Sequence, residues 1–155
     1  MHMATVRAAQ RSDFVLLRRI FDDWHPGVVS IHEEPRGWMV ADVDGVVGGG
    51  LLGREFCNWD SGLLGYGHLT EDDVVPFAAL MCVAPHLRGD GIGTKLMTHW
   101  IESTPSWAHV VMPDASDDDP TRVARSHFFE RLGFEWMPTA HAQIEPWLMI
   151  RQSTD

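Results

Sequence analysis

The segment best equipped for chemistry is a glycine-rich turn that joins an apolar run to an amphipathic one. The chain passes from Leu80–Ala84 through Pro85 into Arg88-Gly89-Asp90-Gly91-Ile92-Gly93-Thr94. Glycines let the backbone approach a ligand closely, and successive N–H groups at the start of a helix form a nest that binds anions. Arg88 adds a positive charge beside those amides. The turn therefore predicts a site for a phosphate or pyrophosphate group.

The spacing of this turn differs from the two best-known phosphate-binding sequences. It does not match the GxxxxGK[ST] of a P-loop, and it lacks the early GxGxxG of a dinucleotide site with an acidic residue about 20 positions later. A glycine spacing by itself also fits an ordinary tight turn. The apolar run before the turn and the amphipathic run after it favour a binding loop.

Apolar spacing predicts the elements that precede the turn. Residues 14–24 carry apolar side chains at intervals of three and four after Ser12 or Asp13 as N-cap, which predicts a helix. Residues 28–34 fit a second short helix. Asp44-Gly45 is a hairpin dipeptide, so antiparallel strands are expected on both sides of it, over 38–43 and 46–56. The apolar run 77–83 predicts a central strand that is buried on both faces.

Helices and strands are expected to alternate after the turn. Residues 93–103 form the clearest amphipathic helix of the chain. Another helix is bracketed by Asp119-Pro120 and Gly133, and three apolar side chains should line its buried face: Ala124, Phe128 and Leu132. Three strands complete this half: 109–112, 134–137 and 142–150. The order of elements predicts a single α/β domain over residues 1–155.

Composition limits the classes of function. Acidic residues outnumber basic ones by 22 to 12, and the net charge is −10. Such a field repels nucleic-acid phosphates and attracts cations, so no nucleic-acid partner is expected. The longest apolar stretch, Phe77 to Ala84, is far shorter than the ~20 residues of a membrane span, and no signal peptide is evident, so a cytoplasmic protein without a membrane partner is expected. The nine histidines lack paired metal-ligand spacing, and no metal site is expected.

Two motifs carry a resemblance to a known family. Arg88-x-x-Gly91-x-Gly93, after Val83-x-Pro85, resembles motif A of the GNAT superfamily of acyl-CoA-dependent N-acyltransferases. Phe128-Phe129-Glu130-Arg131-Leu132-Gly133-Phe134 is similar to that superfamily's motif B, usually written FYxxxGF. Because two independent motifs occur in the right order, a chance match is improbable.

The resemblance implies a fold and a cofactor. The fold would be a mixed, largely antiparallel sheet of about six or seven strands with about four helices, splayed between the fourth and fifth strands, and acetyl-CoA would lie in the cleft. By similarity, the backbone of Met81, Cys82 and Val83 would pair with pantetheine, and one of these amides would polarise the thioester carbonyl. The pyrophosphate would be wrapped by Arg88, Gly89, Asp90, Gly91, Ile92, Gly93 and Thr94. The Cys82 thiol, among apolar neighbours, is expected in the core rather than as a nucleophile.

The chain departs from the family at Phe129. The superfamily often has a tyrosine there, which protonates the departing CoA sulfur. A phenyl ring cannot donate a proton, but a thiol with a pKa of about 8.5 leaves readily as the thiolate. We therefore expect catalysis without this acid.

An amine acceptor requires a base, because an ammonium with a pKa near 10.4 is almost fully protonated at neutral pH. Asp114, just after the strand 109–112, is the first candidate. Glu33 and Glu34, beside the expected second helix, are the others, and each of the three also fits a solvated surface carboxylate. The long connection 57–75 offers further acceptor contacts, with a packed covering loop as the alternative. Its candidate residues are Trp59, Tyr66, His68, Glu71, Asp72 and Asp73.

These features predict an N-acetyltransferase that moves an acetyl group from acetyl-CoA to a primary amine by direct attack in a ternary complex. The acidic charge favours a cationic small molecule or peptide as acceptor. The alternative is a non-catalytic acyl-CoA-binding or regulatory module of the same fold, which Phe129 favours. The sequence leaves the identity of the acceptor and the oligomeric state open, a homodimer included.

Overall fold

The computed structural model describes residues 3–56, 72–113, 122–137 and 148–153. They form a mixed α/β fold of seven strands and three α-helices. The strands are β1 (Ala4–Ala8), β2 (Trp38–Val43), β3 (Val46–Phe56), β4 (Val75–Val83), β5 (Ala108–Val111), β6 (Glu135–Trp136) and β7 (Met149–Gln152). The helices are α1 (Phe14–Trp24), α2 (Ile92–Ser103) and α3 (Arg122–Arg131). No helix within these ranges is long and apolar enough to cross a membrane.

The strands form one sheet in which hydrogen-bonded neighbours follow the order β1, β2, β3, β4, β5, β7, β6. The pairs β1–β2, β2–β3, β5–β7 and β6–β7 are antiparallel, and β4–β5 is parallel. The expectation of a mixed, largely antiparallel sheet is therefore confirmed. The parallel ladder joins Phe77 to Val110 and Ala78 to Val111. β5 ends there, whereas β4 continues to Val83.

The chain divides into two compact units. The first unit comprises Met1–Gly53 and Ala79–Thr104, and the second comprises Arg54–Ala78 and Pro105–Asp155. In the first unit, Phe14 and Phe21 of α1 place their ring edges on Trp38, with centroids 5.7 and 5.6 Å apart. Glycines on β3 allow the helices to approach closely, because a Cβ on Gly50 would stand 2.5 Å from Leu17 Cδ2. This packing places α1 directly on the sheet.

The second unit has its own apolar core. A cluster of buried residues in the described ranges belongs to this core: Val75, Ala108, Val110, Met137, Leu148 and Ile150. α3 ends at Arg131 and is closed by the turn at Gly133, whose φ of +93° permits the hydrogen bond from Phe134 N to Phe129 O. Arg151 Nε on β7 donates to Leu132 O at 3.2 Å and binds this helix end to the sheet. The predicted stop of the helix at Gly133 is thus confirmed.

Three expectations were wrong or incomplete. Residues 28–34 form turns instead of a second helix, with hydrogen bonds from Val28 N to His25 O and from Glu33 N to Ser30 O. Ala124 is exposed, and α3 buries Ser126 and Phe129 instead. β1 was not predicted: its residues Ala4–Ala8 alternate apolar and polar side chains, but the run is only five residues long and includes two alanines, which are depleted in strands.

An ion pair joins β1 to the residue before α1. Arg7 donates from both terminal nitrogens to Asp13, at 2.8 and 3.0 Å, and its Nε lies 3.6 Å from Asp42 Oδ2. The Asp13 carboxylate is buried and also accepts from Gln10 N at 2.7 Å. The hydrogen bonds from Arg7 lower the pKa of Asp13, against the opposing effect of burial. Arg7 therefore links β1 to β2 and to the start of α1, and Asp13 makes no side-chain cap to α1.

Replacing Arg7 with Ala is expected to lower the free energy of unfolding by about 2 kcal/mol at neutral pH, because a buried carboxylate loses its charged donor. Since the folded-state pKa of Asp13 is lowered, this stabilisation exists above the carboxyl's ordinary pKa and disappears as the pH falls through the lowered value. Urea unfolding at neutral and acid pH measures it. Arg18→Ala, which removes only an exposed pair with Asp22, should cost less than about 0.5 kcal/mol. An Arg7→Ala loss that is equal at both pH values would contradict this role.

Candidate functional site

The glycine-rich turn lies in the first unit, between the end of β4 and the start of α2. Two buried side chains flank it: Leu87, at the end of the short 3-10 turn Pro85–Leu87, and Ile92, the first residue of α2. Leu87 fits because a Cβ on Gly48 of β3 would stand 2.6 Å from Leu87 Cδ1. Residues 88–91 between these anchors are exposed. The core therefore holds an exposed loop in a defined position.

The glycines of the loop border open space at the helix start. Gly89 and Gly91 have φ values of +90° and +81°, and nothing lies within 4 Å of a Cβ built on either of them. Gly91 is the N-cap of α2 and offers no side chain to it. Lys95 N donates to Gly91 O at 3.0 Å, so the amides of residues 92–94 have no acceptor inside the helix. These amides and the helix dipole can bind an anion.

The last residues of β4 alternate between the two edges of the strand. Ala84 N donates to Gly48 O at 2.8 Å, so Ala84 faces β3. Because backbone groups alternate along an extended strand, Cys82 also faces β3, and Met81 and Val83 face the opposite edge. Of the three residues predicted to pair with pantetheine, two thus have backbone groups on the edge away from β3.

The Cys82 side chain is buried, as expected from its apolar neighbours. Its Sγ lies 3.6 Å from Ile20 O, so the thiol packs against α1. This position favours a core thiol over a nucleophile.

The side chain of Arg88 reaches from the loop back to the end of β4 and contacts α1. Its Nε donates to Val83 O at 3.2 Å. One terminal nitrogen lies 3.6 Å from Asp23 Oδ2. Asp23 was not among the predicted site residues, and its only sequence signal is a carboxylate in the last turn of a helix, where the dipole disfavours it.

The predicted acidic residues fall in different surroundings. Glu33 is half-buried, and its Oε1 accepts from Ser30 N at 3.3 Å within a turn. Glu34 is exposed and lies 3.7 Å from Arg11. Asp72 is exposed and Asp73 half-buried in the second unit. Five other predicted residues lie outside the described ranges: Trp59, Tyr66, His68, Glu71 and Asp114. Within the described ranges, no group of three or more His, Cys, Asp or Glu residues is arranged to hold a metal ion.

The second motif lies on α3 in the second unit. Phe129 is buried, and its ring makes edge contacts with Phe128 and Phe134, at centroid distances of 5.2 and 5.8 Å. This side chain has no hydroxyl group and occupies an aromatic cluster. It therefore contributes packing at the position where the motif usually carries an acid.

The family of the chain follows from a direct comparison with known families. A family model described as "Acetyltransferase (GNAT) domain" matches residues 34–136. This range covers more than half of the sequence and includes both motifs. The chain belongs to the GNAT acetyltransferase family, and the resemblance of the two motifs is confirmed. A search of curated proteins found no match.

Solved structures with the same fold share little sequence with this chain. Ard1 from Thermoplasma volcanium aligns with a TM-score of 0.68 at 16% identity, over 98% of this chain and 99% of that one. Arabidopsis thaliana Naa50, in complex with the bisubstrate analogue CoA-Ac-MVNAL, aligns with a TM-score of 0.62 at 14% identity, over 97% and 99%. N-acetylglutamate synthase from Neisseria gonorrhoeae, complexed with coenzyme A and N-acetyl-glutamate, gives a TM-score of 0.62 at 16% identity, over 97% of this chain and 35% of that one.

Proposed function

We propose that this protein transfers an acetyl group from acetyl-CoA to the primary amine of a cationic small molecule or peptide. The observation that carries the proposal is the loop between β4 and α2, where two glycines with positive φ border open space beside a helix start without a side-chain cap. The family supports acyl transfer, and two structural relatives are complexes that contain coenzyme A or a CoA conjugate.

The residues that would hold the donor come from one contiguous segment. The loop and first helical turn, Arg88–Thr94, would bind the pyrophosphate through backbone amides and the Arg88 guanidinium. Met81 and Val83 would pair with pantetheine, because their backbone groups lie on the edge of β4 away from β3. Cys82 supports this strand from the core.

The chemical step would be a direct attack by the neutral amine on the thioester carbonyl. The amine nitrogen forms a bond to the carbonyl carbon, the carbon–sulfur bond breaks with release of the CoA thiolate, and the nitrogen loses one proton to water as the amide forms. A backbone N–H of Met81 or Val83 would stabilise the developing oxyanion, an effect worth about 2–4 kcal/mol for one donor. Phe129 cannot protonate the sulfur, so CoA leaves as the thiolate, which the low pKa of a thiol permits.

Charge supports a cationic acceptor. The net charge of −10 attracts ammonium groups and raises their local concentration. The same carboxylates hold the acceptor as ammonium, so one of them, directly or through water, has to accept a proton before attack. Asp114 is the first candidate, and Glu33 is the second.

Thiol release from acetyl-CoA in the presence of an amine panel tests this proposal. Polyamines, aminoglycosides, amino acids and peptide N-termini should include at least one substrate, and the best acceptor should be cationic. Its KM should rise with salt, because ions screen the attraction. A neutral or acidic best acceptor would contradict the charge argument. Saturable CoA binding with no thiol release in the presence of any amine would favour the non-catalytic module. The buried phenyl ring of Phe129, which cannot act as an acid, supports this alternative.

A further inference from the structure

The guanidinium of Arg88 occupies the place where two parts of an acyl-CoA molecule would bind. Its Nε donates to Val83 O at 3.2 Å, on the edge of β4 assigned to pantetheine. A terminal nitrogen of the same group lies 3.6 Å from Asp23 Oδ2 and 4.0 Å from Cys82 Sγ. In this position the side chain covers the end of β4, and part of its charge is neutralised by Asp23.

The placement of Asp23 has no evident advantage for α1 itself. It lies in the last turn of the helix, which contains no basic residue, and the helix dipole disfavours a carboxylate there. The adjacent Asp22 has local partners, because it lies 3.7 Å from Arg18 and accepts from Gly27 N at 3.0 Å. Asp23 instead contacts Arg88 across the first unit. Its partner points to a role at the glycine-rich turn.

We infer that Asp23 is a positioning residue, which holds Arg88 at the end of β4 until the acyl donor displaces it. The inference rests on the proposed function. The Val83 carbonyl, which pantetheine would use, accepts a hydrogen bond from Arg88 instead. The Arg88 guanidinium, which pyrophosphate would use, is paired with Asp23 instead. Donor binding therefore has to break the contact between Asp23 and Arg88. Both side chains are 52% exposed, so the contact is weak enough to break at each turnover.

Asp23→Asn is expected to tighten CoA binding about two- to fivefold at low ionic strength, because Arg88 is released and a competing negative charge is removed. Calorimetric titration with free CoA measures this change, which should shrink as salt is added. Asp22→Asn is the matched control: it removes the same charge from the same helix end but leaves the Arg88 contact intact. Its affinity should stay within about 1.5-fold of the wild-type value.

Arg88→Gln provides the test of coupling. In this background the additional change Asp23→Asn should leave the CoA affinity unaltered, because no guanidinium remains for the carboxylate to hold. The resonance of the Arg88 Nε–H group, identified by its loss in Arg88→Gln, gives a direct spectroscopic readout. It should shift when CoA is added to the wild-type protein, and Asp23→Asn should shift it in the same direction without CoA.

Four results would overturn the inference while leaving the proposed function intact. They are unchanged or weaker CoA binding in Asp23→Asn, equal tightening in Asp22→Asn, tightening by Asp23→Asn that persists without Arg88, and an Arg88 resonance that ignores CoA. Failure of the wild-type protein to bind CoA would instead refute the proposed function, and this is measured before any variant is compared.

Discussion

Gly91→Glu should reduce the affinity for acetyl-CoA by at least about a hundredfold. Gly91 is the N-cap of α2, with a φ of +81° and open space where a side chain would project. A glutamate there would place a carboxylate beside the amides of residues 92–94, which we assign to the pyrophosphate. Like charges brought together in a binding site cost several kcal/mol, and about 2.7 kcal/mol already corresponds to a hundredfold.

Gly27→Glu is the control for backbone strain and for net charge. Gly27 has nearly the same φ, +83°, is exposed, and also has nothing within 4 Å of a built Cβ. Both variants should lose about 1–2 kcal/mol of stability from an L-residue in the left-handed region. Only Gly91→Glu should lose the cofactor. Calorimetric titration together with thermal unfolding separates the two effects, and an equal loss of acetyl-CoA affinity in both variants would remove the turn as the phosphate site.

The features that the sequence predicted well depend on local backbone chemistry. Asp44 and Gly45 adopt φ values of +53° and +89°, as a tight hairpin turn requires, and they pair β2 with β3. α1 and α2 follow from apolar side chains repeated at three and four residues. The glycines with positive φ in the motif are intrinsic to the turn. In each case, neighbours in sequence determine the conformation.

The features that escaped prediction depend on partners distant in sequence. β1 is a strand because it pairs with β2 along five positions, from Ala4↔Val43 to Ala8↔Met39, whereas five alternating residues with two alanines are a weak strand signal by themselves. Ser12 or Asp13 was predicted as the N-cap of α1, and Asp13 holds that position, but the guanidinium of Arg7 is a stronger partner for its carboxylate than the helix amides. The contact of Asp23 with Arg88 likewise exists only in the folded chain.

The prediction of a helix over residues 28–34 was wrong for a different reason. Its apolar residues are spaced as in a helix, but it lies between Pro26-Gly27 and Pro35, and too few residues separate these breakers for a stable helix. Gly27 adopts a φ of +83°, and isolated turns follow. The same turns place Glu33 against Ser30 N, which matters for the identity of the base.

Asp114→Asn should lower kcat by about a hundredfold, in the range expected for loss of a general base, while the affinity for acetyl-CoA stays nearly unchanged. Asp114 follows Pro113, whose carbonyl oxygen accepts a hydrogen bond from Arg125 of α3 at 3.4 Å. Asp114 itself lies outside the described residues, and it ranks first because a residue just after a strand is expected to be held more firmly than one in a long loop. The rise of the rate with pH, which reports deprotonation of the base, should flatten in this variant.

Glu33→Gln is the matched comparison, because it separates the base from the fold. The glutamine side-chain oxygen can still accept from Ser30 N, so the turn that holds Glu33 is retained while its basic oxygen is lost. If Asp114 is the base, Glu33→Gln should keep the wild-type pH dependence and a kcat within about threefold, as a charge change outside the proton transfer predicts. If the alkaline rise instead flattens in Glu33→Gln and persists in Asp114→Asn, the base is Glu33. In that case the proton of the acceptor ammonium passes to Glu33, in the segment after α1 and within the same compact unit as the glycine-rich turn.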